Sequence, residues 1–441
     1  MCLTILSGAF ASTAVAAPII VDTTSDSDDG SCGLPSNDCT LREAINAVNA
    51  GIGKKIDFDP GIFPRGVLTN IILSSELPAI MVSGTTIDGS GTGVVIHGAG
   101  LDGDGIIFES GAGNVLTNVT VRSIIVRYFQ GNGIYICGGI RSNGCDETIS
   151  KVTVNQVTVN GNDENGIYIR GREIDKATVQ HAYAEGNEST GINMRANTGD
   201  LNKPQVNDCT TVYNFSGISL RGGNIINAKL SDNTICRNTA RGIELDATLQ
   251  IIHPKLTGNT VSENSLGIYL LARFTTLKPN LSDNHVAGNR SKGIAVRSRD
   301  GVIGGQFKDN VVMGNDYGID LNSDNVDNVK VQGNRVVNNS NNGIWIDQGS
   351  KNQVKNNVVS DNGNDGIRLE GPGQGNKIQG NQVIGNQDNG IQVNSNSTNA
   401  QIKGNEARGN DNYDLDDESG GCGSNTWKSN TFVTRSQDCI E

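Results

Sequence analysis

The chain has 441 residues, 57 of them glycine, with 4% aromatics and a formal net charge of −12. The length allows two or three average domains. The charge excludes a protein that tracks nucleic acid with a basic surface, and the regular placement of the apolar residues excludes a disordered chain.

The first segment, "MCLTILSGAFASTAVAAP", is apolar and carries small residues at Ala14, Ala16 and Ala17. It reads as a leader spanning 1–17 with an A-x-A cleavage site, although no Lys or Arg precedes Arg42. The run is short for a membrane span, so we expect no spanning segment and a secreted, periplasmic or surface location. Cys2 falls in this leader. Of the remaining cysteines, Cys32/Cys39, Cys137/Cys145 and Cys422/Cys439 each bracket a loop and are predicted disulfides of an exported chain. Cys209 and Cys236 fall on neighbouring repeats and are read either as a pair or as two buried thiols. No Cys or His spacing suggests zinc.

Residues 18–70 form an expected N-terminal cap. Within it, "CTLREAINAVNA" (39–50) predicts a helix, with Thr40 as N-cap and Glu43 completing a capping box. Leu41, Ala44, Ile45 and Val48 give that helix one apolar face.

A repeat follows over 71–412. Glycine followed by isoleucine begins a phrase at Gly105, Gly133, Gly166 and so on to Gly390, with spacings of 23 to 26 residues from Gly166 onward. Ile and the residue two further on share a face and point inward. Two asparagine columns keep the same period, Asn238 to Asn410 and Asn233 to Asn405. Such a period means a solenoid. Three short strands fit each repeat, so the expected fold is all-β, a right-handed parallel β-helix of about 12 coils with an N-terminal capping helix. Stacked one coil apart, about 4.8 Å, amides bond in a ladder, each being donor and acceptor. Asparagine also tolerates the left-handed turn conformation. Residues 413–441 are an expected C-terminal cap.

These features resemble the secreted bacterial β-helix proteins of the pectin-lyase-like superfamily. "CTLREA" is similar to the C-S-L-R-E-A motif that opens many members, with Thr40 in place of Ser. The stretch 71–91 resembles that group's first coils, and "YDLDDESGGCGSNTWKSNTF" (413–432) its C-terminal cap. The resemblance implies the fold, a helix capping the solenoid end, and one long sheet face used as a polysaccharide groove.

On the Gly-Ile face, the outward residues stand two and four places after each glycine. The fourth-position column holds Arg170, Arg195, Arg221 and Arg297. Stacked cations repel unless anions intervene, and guanidinium groups take carboxylates bidentately. An acidic, uronate-containing polysaccharide is therefore the expected partner, with Tyr135, Tyr168, Tyr269 and Trp345 available to stack on sugar rings. A solvated face neutralised by loop acids explains the arginines equally well. No nucleic-acid partner is expected, and the chain is read as a monomer.

Three chemistries remain open on this face. Glu244, Asp246 and Asp320 could serve glycoside hydrolysis. Tyr269 or Tyr317, assisted by Asp320 and Asp347, could move the C5 proton of a uronate in a lyase or epimerase. Tyr269 would need its hydroxyl lowered by Arg297 one coil on. The phrase "YGIDLN" places Tyr317 and Asp320 as in the Y-G-F-D-P-H motif of alginate C5-epimerases, which it resembles, and Asp347 matches a further carboxylate. Asn322 stands where that family has histidine, and an amide is no general base. A binding solenoid without catalysis is the third reading. His97, His181, His253 and His285 are read as structural or surface residues. No cofactor is implied; calcium is the cation that "SDSDDG" (25–30) and "DLDDES" (414–419) would take.

Overall fold

The computed structural model describes residues 17–30, 32, 38–274, 277–323 and 325–441. The expected leader lies almost wholly outside these residues, as does Cys2. The chain winds as a parallel β-solenoid. One sheet of 31 strands carries two faces of the coil and a sheet of 14 strands carries the third, so there are about 14 coils, slightly more than the repeat predicts. The coil at Gly242 is typical: a bent strand Arg241–Ile252, then Lys255–Thr257, then Thr260–Ser262. Its inward residues Ile243, Leu245, Ile251, Leu256 and Val261 are fully buried. Each such burial is worth roughly 1.5–3 kcal/mol.

Glycine opens each phrase for want of room. A Cβ on Gly242 would sit 2.5 Å from Val261 Cγ1 and 2.8 Å from the Gly267 carbonyl of the next coil.

The capping helix is Leu41–Asn49, with the Thr40–Glu43 capping box formed. Its face of Leu41, Ala44, Ile45 and Val48 is buried. It is anchored by Arg42, which pairs with Asp26 at 2.9 Å and donates to the carbonyls of Ser75 and Glu76. The cap segment also supplies strands Ile19–Val21 and Lys55–Phe58, which begin the large sheet. At the other end, Thr426–Lys428 pairs with Gln401–Lys403, so the tail completes a final coil.

The cysteine pairs Cys32–Cys39, Cys137–Cys145 and Cys422–Cys439 are bridged. Cys209 and Cys236 are not paired. Cys209 instead heads an asparagine column, where its backbone N–H donates to Asn233 Oδ1 at 3.0 Å.

Both asparagine columns form ladders, and both run further than the sequence columns. One extends from Asn162 to Asn410, each Nδ2 donating to the next Oδ1 at 2.8–3.1 Å, and ends on Asp414. The other runs from Asn233 to Asn430. The left-handed conformation is taken by the residue before each rung and not by the rung itself. Asp232, Asp283 and Asp309 have φ of 57°, 57° and 53°, and Gly258 and Gly333 fill the same place.

Asn264→Ala removes the acceptor of the Asn238 backbone N–H and of Asn238 Nδ2. Asn238 Nδ2 keeps the carbonyls of Thr211 and Cys236, but its buried backbone N–H is left unmet, which costs roughly 1–3 kcal/mol. We expect a clear fall in the urea midpoint for Asn264→Ala and none for the exposed Gln387→Ala. Equal midpoints for the two would show that the ladder contributes nothing.

Candidate functional site

Register between neighbouring coils decides which outward side chains meet. Arg170, Arg195, Arg221 and Asp246 are direct partners on successive strands, followed by Leu271, Arg297 and Asn322. The second-position column reads Tyr135, Tyr168, Asn193, Ser219, Glu244, Tyr269, Ala295, Asp320 and Trp345. The three arginines therefore lie on one ribbon. Arg170 donates to Asn197 Oδ1 at 3.0 Å, and Arg221 is paired with Glu244 at 2.8 Å. The Arg195 side chain is exposed and makes no hydrogen bond or ion pair among the described residues.

The acids on this face differ sharply in access. Glu244 is 1% exposed and held between Arg221 and Arg241. It is a buried counter-ion, so the expected part in hydrolysis, which needs contact with the sugar, does not fit it. Asp246, on the same strand, is half-buried, and its Oδ1 has no hydrogen-bond partner among the described residues. Burial and the charge of Glu244 push the Asp246 carboxyl above the usual range, partly offset by Arg221, Arg273 and Arg241.

Tyr269 sits across from Glu244, under the Arg241 guanidinium at 5.0 Å from its ring centroid. The sequence reading requires its hydroxyl to be lowered by Arg297. Burial instead pushes it up, and Arg297 and Arg241 only partly offset this. Tyr269 is thus protonated at neutral pH and suited to giving a proton. It lies one coil over and two residues back from Asp246, about 8 Å between Cα atoms from strand rise and spacing.

A second cluster lies further along the face. Asp320 is fully buried with the Lys292 ammonium against it. Lys292 also stands 5.3 Å from the Tyr317 ring centroid, and Tyr317 stacks on Trp345 at 5.8 Å. Burial pushes the Tyr317 hydroxyl up, helped by Asp316 and Asp320. A carboxylate with no exposed surface cannot touch a polymer, so the expected catalytic part of Asp320 does not fit this geometry. Asp347 stands beyond Asn322 at the margin of the face, where its Oδ1 accepts the Gln348 N–H at 2.9 Å.

Tyr135 is also corrected as a sugar platform. It is 7% exposed, stacked on Tyr168 at 5.2 Å with its hydroxyl pushed up to about 12 by burial. Tyr168 stays half-buried and available. A wider hollow of about 660 Å³, lined by His253, Lys278 and Lys330, lies on the neighbouring face and holds none of the candidate residues. His181, His253 and His285 are exposed and His97 half-buried, none of them on the Gly-Ile face.

The acid-rich stretches are occupied by internal bonds: Asp26 with Arg42 and Ser74, Asp414 with Asn410 and Thr434, and Asp417 with Trp427 and Asn425. Among the described residues no group of three or more His, Cys, Asp or Glu is arranged to hold a metal. No helix among them is long and apolar enough to cross a membrane.

Two family patterns together span most of the chain. Residues 71–276 match "Right handed beta helix region", and residues 276–436 match "Periplasmic copper-binding protein (NosD)". The chain is a right-handed parallel β-helix protein. The copper of the second description does not fit these residues. Copper takes imidazole, thiolate or thioether ligands, and the matched segment has only His285, Met313 and the disulfide-bonded Cys422. Among curated protein sequences none matches.

Among solved structures, the Dettilon tailspike protein shares 15% identity at a TM-score of 0.43, covering 83% of this chain and 62% of its own. The Azotobacter vinelandii mannuronan C-5 epimerase AlgE6 A-module shares 16% at 0.36, covering 89% and 94%. The α-1,3-glucanase catalytic unit of Streptomyces thermodiastaticus shares 13% at 0.42, covering 85% and 71%. A likeness of this size is one of chain winding alone.

A carboxyl raised in the fold makes the folded state bind more protons than the unfolded one, so its contribution to stability falls as pH rises. Asp246→Asn is therefore expected to melt above the wild type at pH 7. The gap should close as pH drops below the ordinary carboxyl value of about 3.9. A melting point below the wild type at pH 7 would contradict the raised carboxyl.

Proposed function

We propose that the protein is exported and acts on an acidic, uronate-containing polysaccharide bound along the Gly-Ile face, by abstracting the C5 proton of a uronate. The observation that carries this reading is the in-register ladder Arg170–Arg195–Arg221, with Arg195 exposed and unpaired among the described residues, leading directly to Asp246 and Tyr269. The three disulfides support maturation in oxidising surroundings.

A uronate chain supplies carboxylates at regular intervals, and guanidinium groups hold carboxylates bidentately. At the centre, the Asp246 carboxylate takes the C5 proton. Its raised pKa makes it a stronger base than an ordinary aspartate. The freed electron pair moves into the substrate carboxyl, and Arg221 or Arg297 stabilises the extra charge. In a lyase, that pair then forms the C4–C5 double bond as the C4–O4 bond breaks, and Tyr269 gives its proton to O4. In an epimerase, Tyr269 returns a proton to C5 from the opposite face. In both, water carries the proton from Asp246 back to Tyr269. The Tyr317–Trp345 pair would carry a sugar ring further down the track.

A panel of uronate polymers separates the outcomes. Ultraviolet absorbance of unsaturated ends reports a lyase, and exchange of the C5 proton with solvent an epimerase. Asp246→Asn and Tyr269→Phe are expected to lose about 10²- to 10⁴-fold of either activity while remaining folded. Arg195→Ala should weaken polymer binding and flatten its salt dependence. Reducing ends without unsaturation would replace this chemistry with hydrolysis. Binding with no bond changed would leave a carbohydrate-binding solenoid, a reading that the central coils' lack of long loop insertions favours.

A further inference from the structure

We propose that the Gly-Ile face is closed at its N-terminal end and receives the terminus of a uronate chain, not its interior. This rests on the polysaccharide reading above and adds the mode of engagement.

Two outward rungs ahead of Arg170 are covered. Glu109 and Cys137 continue the fourth-position column on the preceding coils, yet they are only 8% and 0% exposed. Their neighbour Tyr135 is covered as well. The cover is the loop 138–147. The Cys137–Cys145 bridge folds it back over its own strand, and Cys145 Sγ lies 3.1 Å from the Tyr135 hydroxyl. From the short helix Arg141–Asn143, Arg141 reaches Glu109 at 2.9 Å, Asp104 at 2.6 Å and Glu76 at 2.9 Å. On the other side, the Asn197 amide donates to the carbonyls of Gly144 at 2.7 Å and Cys145 at 3.1 Å. A loop fixed by a covalent bond and three carboxylates does not swing aside to let a polymer pass.

A chain lying along Arg221, Arg195 and Arg170 therefore meets a wall beside Tyr168. At the foot of the wall is a cleft of about 410 Å³, lined by Asp104, Asn132, Arg141, Glu164, Tyr168 and Arg170. Asp104 and Glu164 both accept from the Asn132 amide, each at 2.7 Å, and Glu164 is exposed. A chain end differs from an internal residue by one hydroxyl that is free of a glycosidic bond. The exposed Glu164 carboxylate accepts from such an O–H donor, and the Tyr168 ring, backed by Tyr135, offers a flat surface for the terminal sugar.

The test is a length series. Oligo- and polyuronates of increasing mean length, each at the same mass of uronate, are titrated against the full chain. End capture predicts one protein per chain, so that protein bound per mass of uronate falls in inverse proportion to length. Binding per mass that does not change with length overturns closure and leaves the polysaccharide reading standing. No binding at any length rejects that reading and this inference with it. Arg141→Ala, which unfastens the loop from Glu76, Asp104 and Glu109, should let long chains take more than one protein; unchanged one-per-chain binding by this folded variant would show that the loop is not the stop.

Discussion

The structure depends on vertical pairing of identical amides. A buried asparagine side chain has donors and acceptors that water no longer serves; another asparagine one coil away meets them at 2.8–3.1 Å, together with main-chain carbonyls of the preceding coil. A rung shifted by a single residue would lose its side-chain bond and its backbone bond together. The ladder is thus either complete or broken, which holds the repeat to 23–26 residues over ten successive phrases. The apolar residues fill the coil, but they do not fix which turn lies on which, since Ile, Leu and Val pack in several arrangements.

That register is also what builds the candidate site. Once coils are locked, outward residues far apart in sequence become neighbours, and like stacks on like. For charged residues this is costly, and the face resolves the cost differently along its length. Arg221 is neutralised by Glu244, which Arg241 also holds. Lys292 is set against Asp320. Arg195 is left to solvent, which is why the ladder of arginines, more than either acid cluster, points to an anionic ligand. The half-buried Asp246 lies where the basic rungs end.

Much of this was legible in the sequence, and the reasons for the rest are physical. Columns could be read wherever the period was constant, so Arg170, Arg195 and Arg221 fell into line, as did the rungs from Asn238 to Asn410. Asn162, Asn187 and Asn214 keep nearly the same period, 25, 27 and 24 residues to the next rung, so this upstream part of the column was legible although the reading began it at Asn238. Arg241 and Lys292 escaped because each stands just before the glycine, outside the two outward positions that strand alternation defines; the column itself, Arg241, Leu266, Lys292, Tyr317, is visible once that place is included. Access was not legible at all. Whether Glu244, Asp320 or Tyr135 is covered depends on long neighbouring side chains, and for Tyr135 on a loop tied down by residues of other coils. The direction of the Tyr269 shift followed from the same blindness, because burial outweighs the adjacent arginines.

The central claim is that the arginine ladder holds the carboxylates of a uronate chain. The most direct measurement is a crystal structure of the protein with a bound oligouronate. The account predicts consecutive sugar carboxylates within hydrogen-bond distance of the guanidinium groups of Arg170, Arg195 and Arg221, with one sugar between Asp246 and Tyr269. An oligomer seated on another face, with the three arginines still turned to solvent, would contradict it.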